Sequence, residues 1–160
     1  MSDDWGSVEV QGLEELEAKL AELDNKLAGK AIYGALGYAL TPVVKDAKKL
    51  ASKANEPHTM VYPNGKKVEV EPGLLKSAIK KRRVPKSEMK GEFAQGAAMG
   101  MYIGTGTKQK VYPNYWHLVE RGTSTQPATP FIRPAFDNNI DLMLSRFSEK
   151  LSENIDKYRE

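Results

Sequence analysis

The side chains in this 160-residue chain best suited to acid and base work are its only two histidines, His58 and His117. His58 follows a proline in PHTMVYPNG, and His117 sits between Trp116 and Leu118. A catalytic base needs a partner that orients it and a group that stabilises charge. The two histidines fall in different expected elements, so packing or a surface hydrogen bond is the plainer reading of each. There is no cysteine, which excludes thiolate nucleophiles, thiolate metal sites and disulfides. No HxH, HExxH or DxD spacing occurs, so a metal site would have to be gathered from scattered carboxylates. Neither a metal nor a cofactor is expected. Glycine-rich IGTGTK, residues 103–108, could expose amides to an anion. It lacks the spacing of a phosphate loop and opens no apolar helix, so it reads as a strand end followed by a turn.

The run KSAIKKRRVPK could contact nucleic acid through Lys80, Lys81, Arg82 and Arg83, since each cation on a phosphate releases counterions. It carries no aromatic residue for base stacking. Residues 1–24 hold eight acids, Glu14 and Glu15 among them, against Lys19 alone, a net of −7. Residues 76–90 hold seven basic residues against Glu88, a net of +6. These two stretches attract one another, within a chain or between copies, and such complementarity steers self-association.

Residues 115–136, YWHLVERGTSTQPATPFIRPAF, combine four aromatic rings and three prolines with a single carboxylate, Glu120. Pro127, Pro130 and Pro134 each fix φ, so the segment is stiff before it enters the last helix. Stiffness reduces the entropy lost in holding Phe131 and Phe136.

The elements that must position these residues follow from periodicity. Leu13, Leu16, Leu20, Leu23 and Leu27 recur at spacings of three and four, an amphipathic helix that Gly29 should interrupt. A second helical pattern runs from Ala31 to Ala51, and Pro42 should kink it or start a new turn. Residues 57–72 predict a projecting hairpin around PNG. GLLKSAIKKRRV reads either as a helical turn entering a strand or as one basic helix. Residues 86–100 predict a mobile loop, MYIGTG a strand, and YWHLVER a short helix stopped by Gly122. From Pro134, placed at the first helical position, Phe136, Ile140, Leu144, Phe147, Leu151, Ile155 and Tyr158 mark one face of a final helix. The whole predicts one α+β domain over residues 1–160: long N-terminal helices and a C-terminal amphipathic helix packed on a small antiparallel sheet. Hydrophobic residues at 40% and charged residues at 28% suit a folded, water-exposed protein. MSDDWGSVEV has neither a basic nor an apolar leader region, and no stretch nears the ~18 apolar residues of a membrane span. Synthesis in the cytoplasm and no membrane partner are expected.

In this order VEVQGLEEL, PGLLKSAI, MYIGTG, YWHLVERGT and PFIRPAF resemble the tail-component family of tailed bacteriophages, neck and tail-completion proteins that include relatives of the minor tail protein Z type. The similarity runs from about residue 8 to residue 150, and ERGT with PFIRPA a few residues later is its most specific part. The hairpin and the Gly/Met-rich residues 91–100 look like additions. The resemblance implies a virion structural protein at the head–tail junction, made in the host cytoplasm and working as a homo-oligomeric ring around the DNA channel. Its partners would be connector or head-closure proteins on one side and tail-terminator or tail-tube proteins on the other, with DNA passing nearby. Trp116, Arg121, Pro130, Phe131, Arg133, Pro134 and Phe136 become the candidate contact residues. Lys80, Lys81, Arg82, Arg83, Glu14 and Glu15 become a candidate charged edge. The acidic face rather than the basic run is expected to line any channel, and a DNA-binding accessory protein using residues 80–83 is the alternative.

Overall fold

Asp24 begins the longest element. Its side-chain Oδ1 accepts from the Leu27 amide at 2.9 Å, satisfying a donor that a helix start leaves open. In the computed structural model, which describes residues 13–51, 57–91 and 97–159, this cap starts helix α2, Asn25–Leu50. It follows a short helix α1, Leu13–Ala21. The leucine pattern therefore breaks at residues 22–24 and not at Gly29, which lies inside α2. Leu16, Leu20 and Leu23 pack within the same chain, against Ala31, Ala35, Leu151 and Ile155. The VEV stretch and residues 92–96 of the expected loop lie outside the described residues.

Pro42 stands inside α2. It supplies no N–H, so the carbonyl of Tyr38 one turn earlier loses its helical donor. The Nε of Arg146 donates to that carbonyl at 3.0 Å, and its guanidinium lies 3.7 Å from the centre of the Tyr38 ring. The neighbouring carbonyl of Gly37 accepts from Thr41 Oγ1 at 2.9 Å and from Lys81 Nζ at 2.7 Å. An external donor, Arg146, thus serves the carbonyl that the proline leaves open, and the helix continues.

Strands β1, His58–Val61, and β2, Lys67–Val70, pair antiparallel with Met60 opposite Val68. At the turn Gly65 takes φ +83°, and Asn64 Oδ1 accepts from the Lys66 amide. The hairpin is seated rather than free-standing: Met60 and Val70 are buried with Leu74, and Tyr62, Val111 and Tyr115 pack on them. The Gln109 side-chain amide clamps β2 from outside, donating to Glu69 O at 2.6 Å and accepting from Glu71 N at 3.1 Å. One helical turn, α3 Leu74–Ala78, leads directly into β3, Ile79–Arg83. This selects the turn-and-strand reading of GLLKSAIKKRRV. Strand β4, Met99–Ile103, pairs antiparallel with β3, and a short 3₁₀ turn, Lys86–Glu88, lies between them. The α+β class holds, with the strands in two separate two-stranded ladders.

Helix α4, Trp116–Arg121, is followed by α5, Ile132–Asp137, and α6, Ile140–Arg159. The last helical region thus starts two residues before Pro134 and is broken at residues 138–139. Asn139 explains the break, because its side-chain amide is buried and donates to Asp46 Oδ2 and Ala135 O, both at 2.7 Å. Helix α6 lies along α2, whose alanines at 31, 35 and 39 are buried. A Cβ on Gly34 would come 3.0 Å from the Asn154 amide nitrogen, which donates to Ala31 O. The main core gathers Leu40, Val43, Ala47, Leu75, Ile79 and Phe131 between α2, β3 and the segment before α5.

Candidate functional site

The stiff segment is braced from within by its one carboxylate. Glu120 Oε2 accepts from the amides of Phe131 and Ile132 at 2.7 and 3.0 Å, and Oε1 accepts from Arg133 at 3.1 Å. These are the amides of the α5 N-cap, Phe131, and of its first two helical residues, which no N-cap side chain serves, and a negative group suits a helix start. A carboxylate on α4 therefore fixes where α5 begins. Gly122 ends α4 at φ +79°, donating to Leu118 O at 2.7 Å, and a Cβ there would lie 2.6 Å from the Ala128 nitrogen. Thr129 N donates to Val119 O at 2.8 Å. Thr123 Oγ1 accepts from the amides of Thr125 and Gln126. The result is a closed loop, residues 122–130, of which residues 123–130 are all exposed and none is charged.

The seven candidate contact residues divide by this geometry. Phe131 is 0% exposed and belongs to the core, so it anchors the loop rather than meeting a partner directly. Trp116 is half-buried and donates from Nε1 to Tyr112 Oη at 2.8 Å. Pro134 is half-buried, while Arg121, Pro130 and Arg133 are exposed. Arg133 approaches Asp137 at 3.8 Å on the same helix. Phe136 forms part of an apolar groove of about 330 Å³ with Leu36, Leu40, Met99, Met143 and Phe147.

The candidate charged edge lies elsewhere and is largely engaged. Lys81 Nζ donates to Gly37 O and to Thr41 Oγ1. Burial, and then the Arg146 guanidinium, lower its pKa from the ordinary lysine value. Arg82 pairs with Glu88 at 3.3 Å and lies over the Tyr102 ring, and Arg83 lies over Tyr33 at 4.2 Å. Lys80 is half-buried on β3. Glu14 and Glu15 are exposed on α1. Among the described residues the ion pairs of the acidic stretch are Glu15 with Lys19 and Glu22 with Arg159, and none of them joins it to residues 80–83.

The histidines do not converge. His58 packs edge-on against the Tyr115 ring at 5.2 Å, and His117 is exposed beside Trp116. In IGTGTK the Gly104 amide donates to Ala78 O, Gly106 to Val111 O, and Thr107 to Ser77 Oγ. Those amides hold the strand end in place and point at protein acceptors. A Cβ on Gly106 would meet Leu74 Cδ1 at 2.4 Å, which accounts for glycine there. A cavity of about 690 Å³ beside this turn is lined by Glu71, Pro72, Ser77, Thr107 and Lys108, among others. Among the described residues no group of three or more His, Asp or Glu side chains could hold a metal, and no helix is long and apolar enough to cross a membrane.

Sequence reasoning missed Glu120 and Arg146. Their partners are 11 to 13 and 108 positions away, beyond any local pattern. A lone carboxylate in residues 115–136 and a proline inside a helical pattern were the available signals. Comparison with known proteins finds no matching family model, no similar curated protein and no similar solved structure.

Proposed function

We propose that the chain is a virion structural protein of the head–tail junction of a tailed bacteriophage, a neck or tail-completion component. It joins connector to tail through protein–protein contacts, as a homo-oligomeric ring. The reading rests on the resemblance carried by ERGT and PFIRPA. The observation that supports it best is how those motifs are built: Glu120, Gly122 and Phe131 hold residues 123–130 as a stiff, neutral, exposed loop. A loop ordered before contact loses less entropy on docking, and neutrality avoids desolvating charge. The groove at Phe136 adds an apolar surface. Loop, groove and charged faces lie at different places on one subunit, which suits unlike surfaces meeting head to tail in a ring.

Sedimentation of the purified chain and its location in reconstructed virions test this reading. A multimer, and density for the chain between connector and tail, are expected. A permanent monomer missing from particles would refute it. The alternative of a DNA-binding accessory protein draws less support, because Lys81, Arg82 and Arg83 already contact Thr41, Glu88 and Tyr33. It predicts duplex affinity that falls steeply with salt, and absence of binding at low salt removes it.

A further inference from the structure

Helix α2 has a second face that the core does not use. Its buried residues, Ala31, Ala35, Ala39, Leu40, Val43 and Ala47, lie on one side. On the other, Lys26, Lys30, Tyr38, Thr41, Lys45 and Lys48 are exposed at spacings of three, four and eight, so they form one outward ridge. From Lys26 to Lys48 the ridge runs about 33 Å at 1.5 Å per residue. The one carboxylate within α2, Asp46, accepts from buried Asn139 and so is held towards the core. Lys81 flanks the ridge on the β3 side at Gly37 and Thr41, and Arg146 flanks it on the α6 side at Tyr38. Among the described residues Lys26, Lys45 and Lys48 form no ion pair.

The same chain carries the opposite surface. Leucines of α1 turn inward on Leu151 and Ile155, which leaves Glu14 and Glu17 exposed on its outer side. They have no ion-pair partner among the described residues. The acidic α1 and the basic ridge of α2 are distinct patches on one subunit. A contact between them joins unlike surfaces head to tail, the kind of contact from which rings are built.

We infer that the outward ridge of α2 receives the acidic face of α1 from a second copy of the chain, head to tail. This deepens the ring reading and rests on it. Exposed ion pairs contribute little each, so the charges set approach and register. Free duplex DNA is the competing occupant of a basic ridge, and the test separates the two.

The experiment measures self-association of the full chain by analytical ultracentrifugation for wild type, for Lys45→Glu with Lys48→Glu, and for Glu14→Lys with Glu17→Lys. All four positions are exposed, and circular-dichroism melting checks that each variant folds. Each double reversal should weaken association at least tenfold alone. An equimolar mixture of the two should recover association, because each contact between unlike variants presents opposite charges. A wild-type oligomer that neither reversal disturbs, or a mixture that fails to recover, overturns this interface and leaves the ring reading standing. A wild type that stays monomeric overturns both. Loss of duplex binding in the ridge variant with unchanged self-association overturns the inference in favour of DNA.

Discussion

Removing the Glu120 carboxylate should unfasten the loop that the proposed function depends on. Glu120 accepts from three amides, and their surroundings differ. The Arg133 amide belongs to an exposed residue, where water can replace the acceptor. The Phe131 amide belongs to a fully buried residue and would be left without a partner. An unsatisfied buried donor costs about 1–3 kcal/mol, and bonds to a charged acceptor contribute about 1.5–3 kcal/mol each without adding fully. Glu120→Ala should therefore destabilise the chain by roughly 3 kcal/mol, which for a domain of this size lowers Tm by about 10 °C. Glu120→Gln keeps one acceptor oxygen and loses the charge, so about 1 kcal/mol is expected. Urea unfolding at unchanged m-value measures both. A Glu120→Ala variant within about 0.5 kcal/mol of wild type, the range of an ordinary surface change, would refute the bracing role. Equal losses in the two variants would show that the charge and the second acceptor oxygen carry the effect and that the size of the side chain does not.

Three further outcomes are expected. Arg146→Ala should cost about 1–2 kcal/mol in the wild-type helix. It should cost about 1 kcal/mol less when combined with Pro42→Ala, since an alanine there restores the amide that serves the Tyr38 carbonyl; a double-mutant cycle by urea unfolding reads the coupling. Phe131→Ala should cost roughly 3–5 kcal/mol by leaving a cavity between α2 and β3, and unchanged melting with lost assembly would instead make it a contact residue. Burial raises the Tyr115 phenol above its ordinary 10.0, so its share of stability is complete below pH 10 and is lost as pH rises through the folded value. Lys81 has the opposite sign, gaining stability through the window below 10.5. Alkaline tyrosinate titration should show one late phenol that Tyr115→Phe removes, with a smaller loss of stability on the alkaline side.

Local chemistry made much of the fold readable. The PNG hairpin follows from a glycine that accepts positive φ and an asparagine that folds onto its own turn. Gly122 ends α4 because a glycine accepts the positive φ of +79° that turns the chain out of the helix. The limits arose where tertiary contacts outweighed local preference. Gly29 looked like a stop, yet the Asp24 cap and packing on both sides of it carry α2 through. The apolar period from Phe136 to Tyr158 runs on across residues 138–139, so it gave no sign of a break held by one buried asparagine. In the candidate site the stiffness of residues 115–136 was legible from its prolines. The brace was not, because a glutamate that meets amides 11 to 13 positions on leaves no periodic trace.

The pairing of α2 with α6 bears on how the protein reaches its native state. Asn139 meets Asp46, Arg146 meets Tyr38, and Asn154 meets Ala31 across separations of 93, 108 and 123 residues. Such distant closures slow the search for the native topology. A nascent chain on the ribosome therefore carries the alanine seam of α2 uncovered until α6 has been made. Folding must finish after synthesis has passed residue 159, and until then the uncovered seam is a target for chaperones or for mispairing with another nascent chain.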